Sequence, residues 1–224
     1  MSADLLRALV FTGGYVGVAY SDGRICGASV GLRTERREAI HSHITGVDPA
    51  ARDRSVGYAL KLHQRAWALR NGISTIEWTF DPLVARNARF NIAKLGATAS
   101  TYLPDFYGVM SDGINSGEAS DRLLARWQLD HAPREVSLDR SRGILLLADS
   151  RGAPRQEDVP TDASQLLVQV PEDIVALRAE RPAVARAWRT AVRETLGAAL
   201  LHGWAAVSVT RDGWYVLERV GAAT

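Results

Sequence analysis

Hydrophobic and polar positions along this chain alternate between short apolar runs and longer stretches with helical spacing. Short apolar runs bounded by turn residues indicate strands, and apolar positions three and four residues apart indicate amphipathic helices. The longest helical stretch, Ser55–Asn71, ends at Gly72, a residue typical of a helix C-terminus. The pattern predicts an α/β (α+β layered) fold in which helices flank a mixed central sheet.

The predicted elements fill most of the chain. The turns at Asp22-Gly23 and Arg211-Asp212-Gly213 are strong hairpin signals. The predicted strands are Gly14–Ala19, Ile25–Leu32, Ile40–Val47, Ile73–Phe80, Ala97–Leu103, Leu123–Leu129, Ile144–Ala148, Leu166–Val170, Trp204–Thr210 and Trp214–Arg219. The predicted helices are Asp4–Leu9, Ser55–Asn71, Leu83–Leu95, Asp173–Arg178 and Ala183–Leu201.

Two polar stretches divide the chain into three predicted segments. Asp130–Glu135 carries a proline, and Asp149–Ser164 is rich in charge, glycine and proline, which is typical of a linker or long loop. We therefore predict a core over residues 1–134, a strand with a linker over 135–165, and a C-terminal segment over 166–224.

Composition narrows the class of protein. Hydrophobic residues make up 46% of the 224 residues, enough for a core, and the single cysteine excludes an internal disulfide framework. A net charge of +2 without a basic run argues against a nucleic-acid partner. That single cysteine, Cys26, also favours a reducing, cytoplasmic setting. The sequence has neither an apolar run of about 18 residues nor a signal-peptide pattern at its first residues, so we expect no membrane partner.

The stretch Val47–Ala59 carries the strongest chemical signal. A strand enters a basic turn containing Gly57, and the turn opens directly into a helix. Backbone N–H groups at a helix start and the helix dipole both attract a phosphate, and Arg52 and Arg54 add positive charge. This order predicts an anion-binding turn. The alternative is an ordinary strand–turn–helix connection in which Ser55 caps the helix.

The spacing Val47-x-Pro49-x-x-Arg52-x-x-Ser55-x-Gly57, followed by a helix, a strand and the helix Asn87–Gly96, resembles the acyl-CoA-binding core of GNAT superfamily N-acyltransferases. The resemblance covers about Val10 to Leu129. Ser55 stands where the family usually has glycine, and a register shifted by two, Arg54-x-x-Gly57-x-Ala59, fits equally well.

The resemblance implies acetyl-CoA or another acyl-CoA as co-substrate and no metal. It implies that the turn holds the CoA pyrophosphate, that backbone amides near Gly46 and Val47 polarise the thioester carbonyl, and that Asn87 contacts the pantetheine arm. Asn91 lies one helical turn further on. The implied CoA-binding residues are Gly46, Val47, Arg52, Arg54, Ser55, Val56, Gly57, Tyr58, Ala59, Asn87 and Asn91.

The resemblance also implies transfer of an acetyl, succinyl or similar acyl group to the amine of a small molecule or amino acid. A general base is then required, and His43 is the first candidate because histidine titrates in the right range. Glu77 and Asp81 are alternatives. The tyrosine that serves the family as general acid is replaced here by Ile92, and Tyr102 or Tyr107 could take its place; positioning of the two substrates alone could also suffice.

The C-terminal segment Leu166–Arg219 shows the order strand, helix, helix, strand, strand, which the family uses at its N-terminus. The whole arrangement resembles a branch of predicted GNAT enzymes, some linked to N-succinylation of amino acids. Because the N-terminal opening is short here, we expect the segment to cover an open sheet edge near Gly14–Ala19, within the chain or in a homodimer. A catalytically degenerate acyl-CoA-binding module is the alternative function, and a different nucleotide-binding α/β protein is a weaker one, since the usual phosphate-loop motifs do not occur.

Overall fold

A computed structural model of the chain describes residues 1–51, 54–108, 119–131, 136, 138, 143–157 and 163–220. The chain divides into two compact units. The first unit contains Met1–Trp78 and Arg126–Ala132, and the second contains Thr79–Ala125 and Pro133–Thr224. The predicted division at residues 134 and 165 stays a prediction.

The first unit is a sheet with a long helix on one face. Its strands follow the order β1-β2-β3-β4-β6, with β1–β2 and β2–β3 antiparallel and β3–β4 parallel. Strands β4 and β6 contribute residues to both units. The elements are α1 (Ala3–Phe11), β1 (Tyr15–Ser21), β2 (Arg24–Arg33), β3 (Ala39–Val47), a short 3₁₀ turn (Pro49–Ala51), α2 (Val56–Arg70), β4 (Thr75–Phe80) and β6 (Arg122–Gln128).

Helix α2 lies close against the sheet because small residues face it. A Cβ atom added at Gly27 would come within 3.1 Å of the side chains of Leu60 and Val56. One turn further along α2, a Cβ atom at Gly31 would meet the Gln64 amide at 3.1 Å. These glycines therefore let the backbone of β2 approach the helix more closely than any other residue would permit.

The second unit contains the rest of the strands and helices. Its strands follow the order β6-β5-β10-β11-β9-β7-β8. All the neighbours with a described register are antiparallel except β7 and β9, which are parallel. The further elements are α3 (Ala85–Arg89), β5 (Thr98–Leu103), β7 (Gly143–Ser150), β8 (Ala153–Gln156), β9 (Gln165–Gln169), α4 (Ile174–Glu180), α5 (Pro182–Val192), α6 (Ala198–Leu201), β10 (Trp204–Val209) and β11 (Trp214–Arg219).

The predicted fold class, a mixed sheet flanked by helices, is confirmed. The prediction of a linker over Asp149–Ser164 is wrong for its first part, because β8 pairs there with β7. Arg151 and Gly152 both adopt positive φ angles, 56° and 84°, and form a two-residue turn that matches the twist of the paired strands. Residues 158–162 of that stretch lie outside the described residues.

Two predicted helices contain a wider turn that the sequence pattern did not indicate. Residues Phe90–Lys94 follow α3 as a π-helical turn, and Arg193–Gly197 form another between α5 and α6. Such a turn inserts one extra residue into a helix, so side chains beyond it point in different directions from those that a regular period predicts.

The C-terminal segment covers an edge different from the one expected. Strand β10 pairs with β5 through Ala206 and Ala99. Strand β1 lies at an edge of the sheet and pairs with β2 alone among the described strands. The segment therefore extends the sheet at β5.

A buried ion cluster connects Asp81, near the start of the second unit, to helices α4 and α5. Asp81 accepts hydrogen bonds from Arg178 at 2.9 Å and from both terminal nitrogens of Arg189 at 2.8 and 2.9 Å. Burial by itself would raise the pKa of Asp81, but the bonds from Arg189, Arg178 and the Leu83 N–H outweigh it and hold this pKa below its usual value. Asp81 therefore remains a carboxylate that neutralises buried arginine.

We expect Asp81→Asn to destabilise the protein by about 3–5 kcal/mol, because it removes the counter-charge of two buried guanidinium groups. Urea unfolding at neutral pH followed by circular dichroism measures the change. Asp105→Asn, which alters a carboxylate outside this cluster, is the control. A loss below about 1 kcal/mol for Asp81→Asn would show that the ion cluster contributes little.

Candidate functional site

Strands β3 and β4 separate partway along their length. Their parallel pairing comprises Ala39–Thr75, Ile40–Ile76 and His41–Glu77. Beyond His41, β3 continues to Val47 and is paired with β2. The four residues His43 to Gly46 are exposed, so one edge of a strand in the middle of the sheet is open to solvent. Its backbone N–H and C=O groups can accept an extended ligand as an additional strand.

Helix α2 begins shortly after this open edge. Ser55 adopts a left-handed conformation with φ 59°, and its side chain caps no described backbone N–H. The alternative interpretation of Ser55 as an N-cap is therefore wrong, because a capping residue needs an extended backbone to turn its hydroxyl toward the helix.

The first turn of α2 has the properties of an anion site. Arg54 and Ser55 are exposed, and Val56, Gly57 and Tyr58 are partly exposed. The first N–H groups of a helix lack intrahelical acceptors, and a 15-residue helix adds its dipole. A Cβ atom at Gly57 would meet Val47 at an ordinary 3.6 Å, so the fold leaves room there. Arg52 lies outside the described residues, and both predicted registers remain open.

Two histidines lie on the same face of β3 where the strands separate. His41 and His43 occupy alternate positions, with ring centroids 6.2 Å apart. His43 is exposed and His41 is half-buried. Burial lowers the pKa of His41, nearby Glu77 opposes this, and His43 and Lys61 lower the pKa further. His41 is therefore an unprotonated base at neutral pH.

The sequence pattern predicts His43 as the base, and the structure places His41 beside it as a second imidazole that was not among the predicted residues. The signal was present, since residues two apart on a strand share a face and His41 is the partner of Glu77 in the parallel register. The sequence alone could not show that the strands remain paired at His41 and separate immediately after it.

Glu77 is anchored by arginines. Its Oε2 lies 2.6 Å from Arg36 and 3.7 Å from Arg126, and its side chain is 14% exposed. Glu77 therefore has a fixed position beside His41 and balances two positive charges.

The other predicted site residues belong to the second unit. Tyr107 is exposed, with its hydroxyl 3.2 Å from Thr79 and its ring 5.1 Å from the Arg122 guanidinium. Tyr102 is less accessible and donates its hydroxyl hydrogen to Asp121 at 2.7 Å; burial, followed by Asp121, raises its pKa above the usual value. Of these two tyrosines, Tyr107 is the more exposed.

The two asparagines occupy different environments. Asn87 is exposed on α3, whereas Asn91 is 6% exposed within the π-helical turn. Ile92, at the position where the family has tyrosine, is fully buried. Of this pair, Asn87 is accessible to a ligand.

The described residues contain neither a metal-binding group nor a membrane-spanning helix. Within those ranges, no group of three or more histidine, cysteine, aspartate or glutamate side chains is arranged to hold a metal ion. None of the helices in the described part of the chain combines the length and apolarity that crossing a bilayer needs.

One family model matches part of the chain. Residues 3–82 match the family described as acetyltransferase (GNAT) domain. Among curated proteins, nothing matches the chain.

Several solved structures are similar to part of this chain. Nourseothricin acetyltransferase is 19% identical with a TM-score of 0.44, and the match covers 52% of this chain and 65% of that one. A GNAT family acetyltransferase from Elizabethkingia anophelis with acetyl-CoA bound is 15% identical with a TM-score of 0.48, over 57% and 83% of the chains. The putative acetyltransferase yncA from Salmonella typhimurium with acetyl-CoA is 21% identical with a TM-score of 0.48, over 61% and 75%.

Proposed function

We propose that this chain is an acyl-CoA-dependent N-acyltransferase of the GNAT superfamily, because residues 3–82 match the acetyltransferase (GNAT) domain. It moves an acetyl, succinyl or similar short acyl group from CoA to the amine of a small molecule or amino acid. Transfer is direct, with both substrates bound together, and the enzyme acts in the cytoplasm as a homodimer.

The early end of the β3–β4 pairing is the observation that carries this proposal. The open edge from His43 to Val47 spans about 13 Å, enough for a pantetheine arm to lie along it. This edge leads directly to the first turn of α2, where the CoA pyrophosphate binds the backbone N–H groups and Arg54. The backbone amides of Gly46 and Val47 then polarise the thioester carbonyl at the other end of the arm.

The reaction requires few groups. The acceptor amine attacks the thioester carbonyl, a C–N bond forms, and the C–S bond breaks. An imidazole on β3, His41 or His43, takes the proton lost by the amine. The departing thiolate receives a proton from solvent. Glu77 holds a negative charge beside the imidazole that becomes positive, which stabilises it.

The homodimer is proposed from the open edge of β1. Strand β1 pairs on one side only among the described strands, and Val18 and Tyr20 on it are 43% and 65% exposed. Natural proteins cover such an edge, and a second copy of the chain would do so.

A catalytically degenerate acyl-CoA-binding module is the second candidate. Two observations favour it: Ser55 replaces a glycine in the turn, and Ile92 replaces the usual tyrosine and is fully buried.

Release of CoA thiol distinguishes the two candidates. Acetyl-, succinyl- and longer acyl-CoAs are each incubated with the protein and a panel of amines and amino acids, and free thiol is followed by a colour reagent. Amine-dependent release with one acyl group supports the transferase. Binding of CoA by calorimetry without amine-dependent release from any pair would identify the binding module instead.

We expect Gly57→Leu to fold normally and to bind CoA about 10- to 100-fold more weakly. The larger side chain has room beside Val47 but covers backbone N–H groups that contact the pyrophosphate, and a hydrogen bond to a charged group contributes about 1.5–3 kcal/mol. Calorimetry measures the affinity, with Gly57→Ala as the milder matched variant. Arg54→Ala should weaken CoA binding within the same range. Unchanged affinity in both Gly57→Leu and Arg54→Ala would place the pyrophosphate elsewhere.

We expect the histidines to differ in the pH dependence of turnover. Because the pKa of His41 is lowered, His41 stays unprotonated below the ordinary histidine value, and the acid limb of kcat/KM in the wild-type enzyme should lie below about pH 6.5. His41→Asn should lower kcat by roughly 10²–10⁴-fold and abolish that limb if His41 is the base. His43→Asn is the matched variant, two residues along the same strand. Loss of the limb in His43→Asn instead would assign the base to His43, and a limb unchanged in both would exclude both imidazoles.

A further inference from the structure

Lys61 is a buried amine with no part in the reaction as described so far. It lies on the face of α2 that packs against the sheet, and it is 4% exposed. Its Nζ atom donates a hydrogen bond to Ser42 Oγ at 2.9 Å and lies 3.9 Å from the centroid of the Trp78 ring. Burying an ammonium group costs free energy unless it has partners, so a buried lysine at this position suggests a specific role.

The two contacts of Lys61 lie at the point where β3 and β4 separate. The last paired residues are His41 and Glu77, and the residues that follow them are Ser42 and Trp78. Lys61 thus contacts one side chain on each strand, one residue beyond the last pair. Because side chains alternate along a strand, Lys61 lies on the opposite face of the sheet from His41.

We propose that Lys61 is a positioning residue for acyl transfer: it fixes the two strands where they separate, and its ammonium charge repels a proton from the His41 imidazole. The inference rests on the proposed function for the assignment of His41 as base. The contact with both strands and the effect on His41 are independent of it.

The charges around His41 favour this role. Burial lowers the pKa of His41, and Lys61 and His43 lower it further, while Glu77 opposes them. Glu77 also interacts with Arg36 and Arg126. These two positive charges weaken the attraction of Glu77 for a proton on the His41 imidazole.

The titration of Lys61 falls in a useful range. Burial lowers the pKa of Lys61 to about 7. Below pH 7 its amine is therefore mostly charged, and that is the range in which a histidine would take up a proton. The repulsion is therefore present over the pH range in which His41 would otherwise become protonated, and it keeps His41 available as a base in mildly acidic solution.

Nuclear magnetic resonance titration of His41 tests the proposal on the full chain without CoA. In Lys61→Met, which keeps the length and apolar contacts of the side chain, His41 should bind its proton roughly 3- to 10-fold more tightly than in the wild type. Ser42→Ala keeps the charge and should shift His41 much less. Turnover measured on the same variants should show the acid limb of kcat/KM moving to higher pH in Lys61→Met alone.

Gln64→Leu is the matched control. Gln64 lies three residues further along α2, is fully buried, and its side-chain amide has no hydrogen-bond partner among the described residues. Removing this neutral polar group should leave the His41 titration unchanged. A His41 shift as large in Gln64→Leu as in Lys61→Met would show that any change in the core disturbs the histidine, and would overturn the proposal.

The wild-type protein gives a second test that does not depend on any variant folding. The His41 resonances should show a second inflection near pH 7, when Lys61 gains its charge. A single inflection, or an unmoved His41 titration in folded Lys61→Met, would overturn the proposal. A shifted titration in a protein that fails to release thiol from every acyl-CoA would leave the coupling of Lys61 to His41 intact and reject the acyltransferase function.

Discussion

The parallel pairing between β3 and β4 ends after three residue pairs, and the proposed CoA-binding surface of the first unit depends on this ending. Had β3 and β4 remained paired, the backbone groups of His43 to Val47 that face away from β2 would hydrogen-bond to β4, as nearly all buried backbone groups find a partner. Because they separate, that backbone is exposed next to the first turn of α2. A ligand with an extended arm and an anionic end could therefore bind the open edge of β3 with its arm and the first turn of α2 with its anionic end.

The sequence predicted the elements that local signals determine. Asp22-Gly23 marks the turn between β1 and β2, and the helical spacing of α2 ends at Gly72 as expected. Strand β8 was missed because its residues are mostly exposed and polar, so it lacks the apolar alternation that identifies strands. The π-helical turns were missed because an extra residue within a helix leaves composition and spacing almost unchanged.

The candidate site depends on the sequence in a different way. The proposed anion-binding turn is contiguous in sequence, so a local pattern is enough to suggest it. The roles proposed for His41 and Lys61 depend on which residue pair is the last before the strands separate, and no local pattern gives that information. Ser55 also shows the limit of residue preference: serine favours helix caps, yet here the backbone turns left-handed and the hydroxyl does not cap.

The ion cluster at Asp81 has a consequence for how the chain folds. Arg178 and Arg189 lie 97 and 108 residues after Asp81. The ion pairs of Asp81 can therefore form only after a large part of the chain has been made. On the ribosome, Asp81 leaves the exit tunnel long before either arginine has been synthesised. Contacts so distant in sequence slow the search for the native state, since a long loop must close before they contribute. During this interval the residues after β4 remain without their final neighbours.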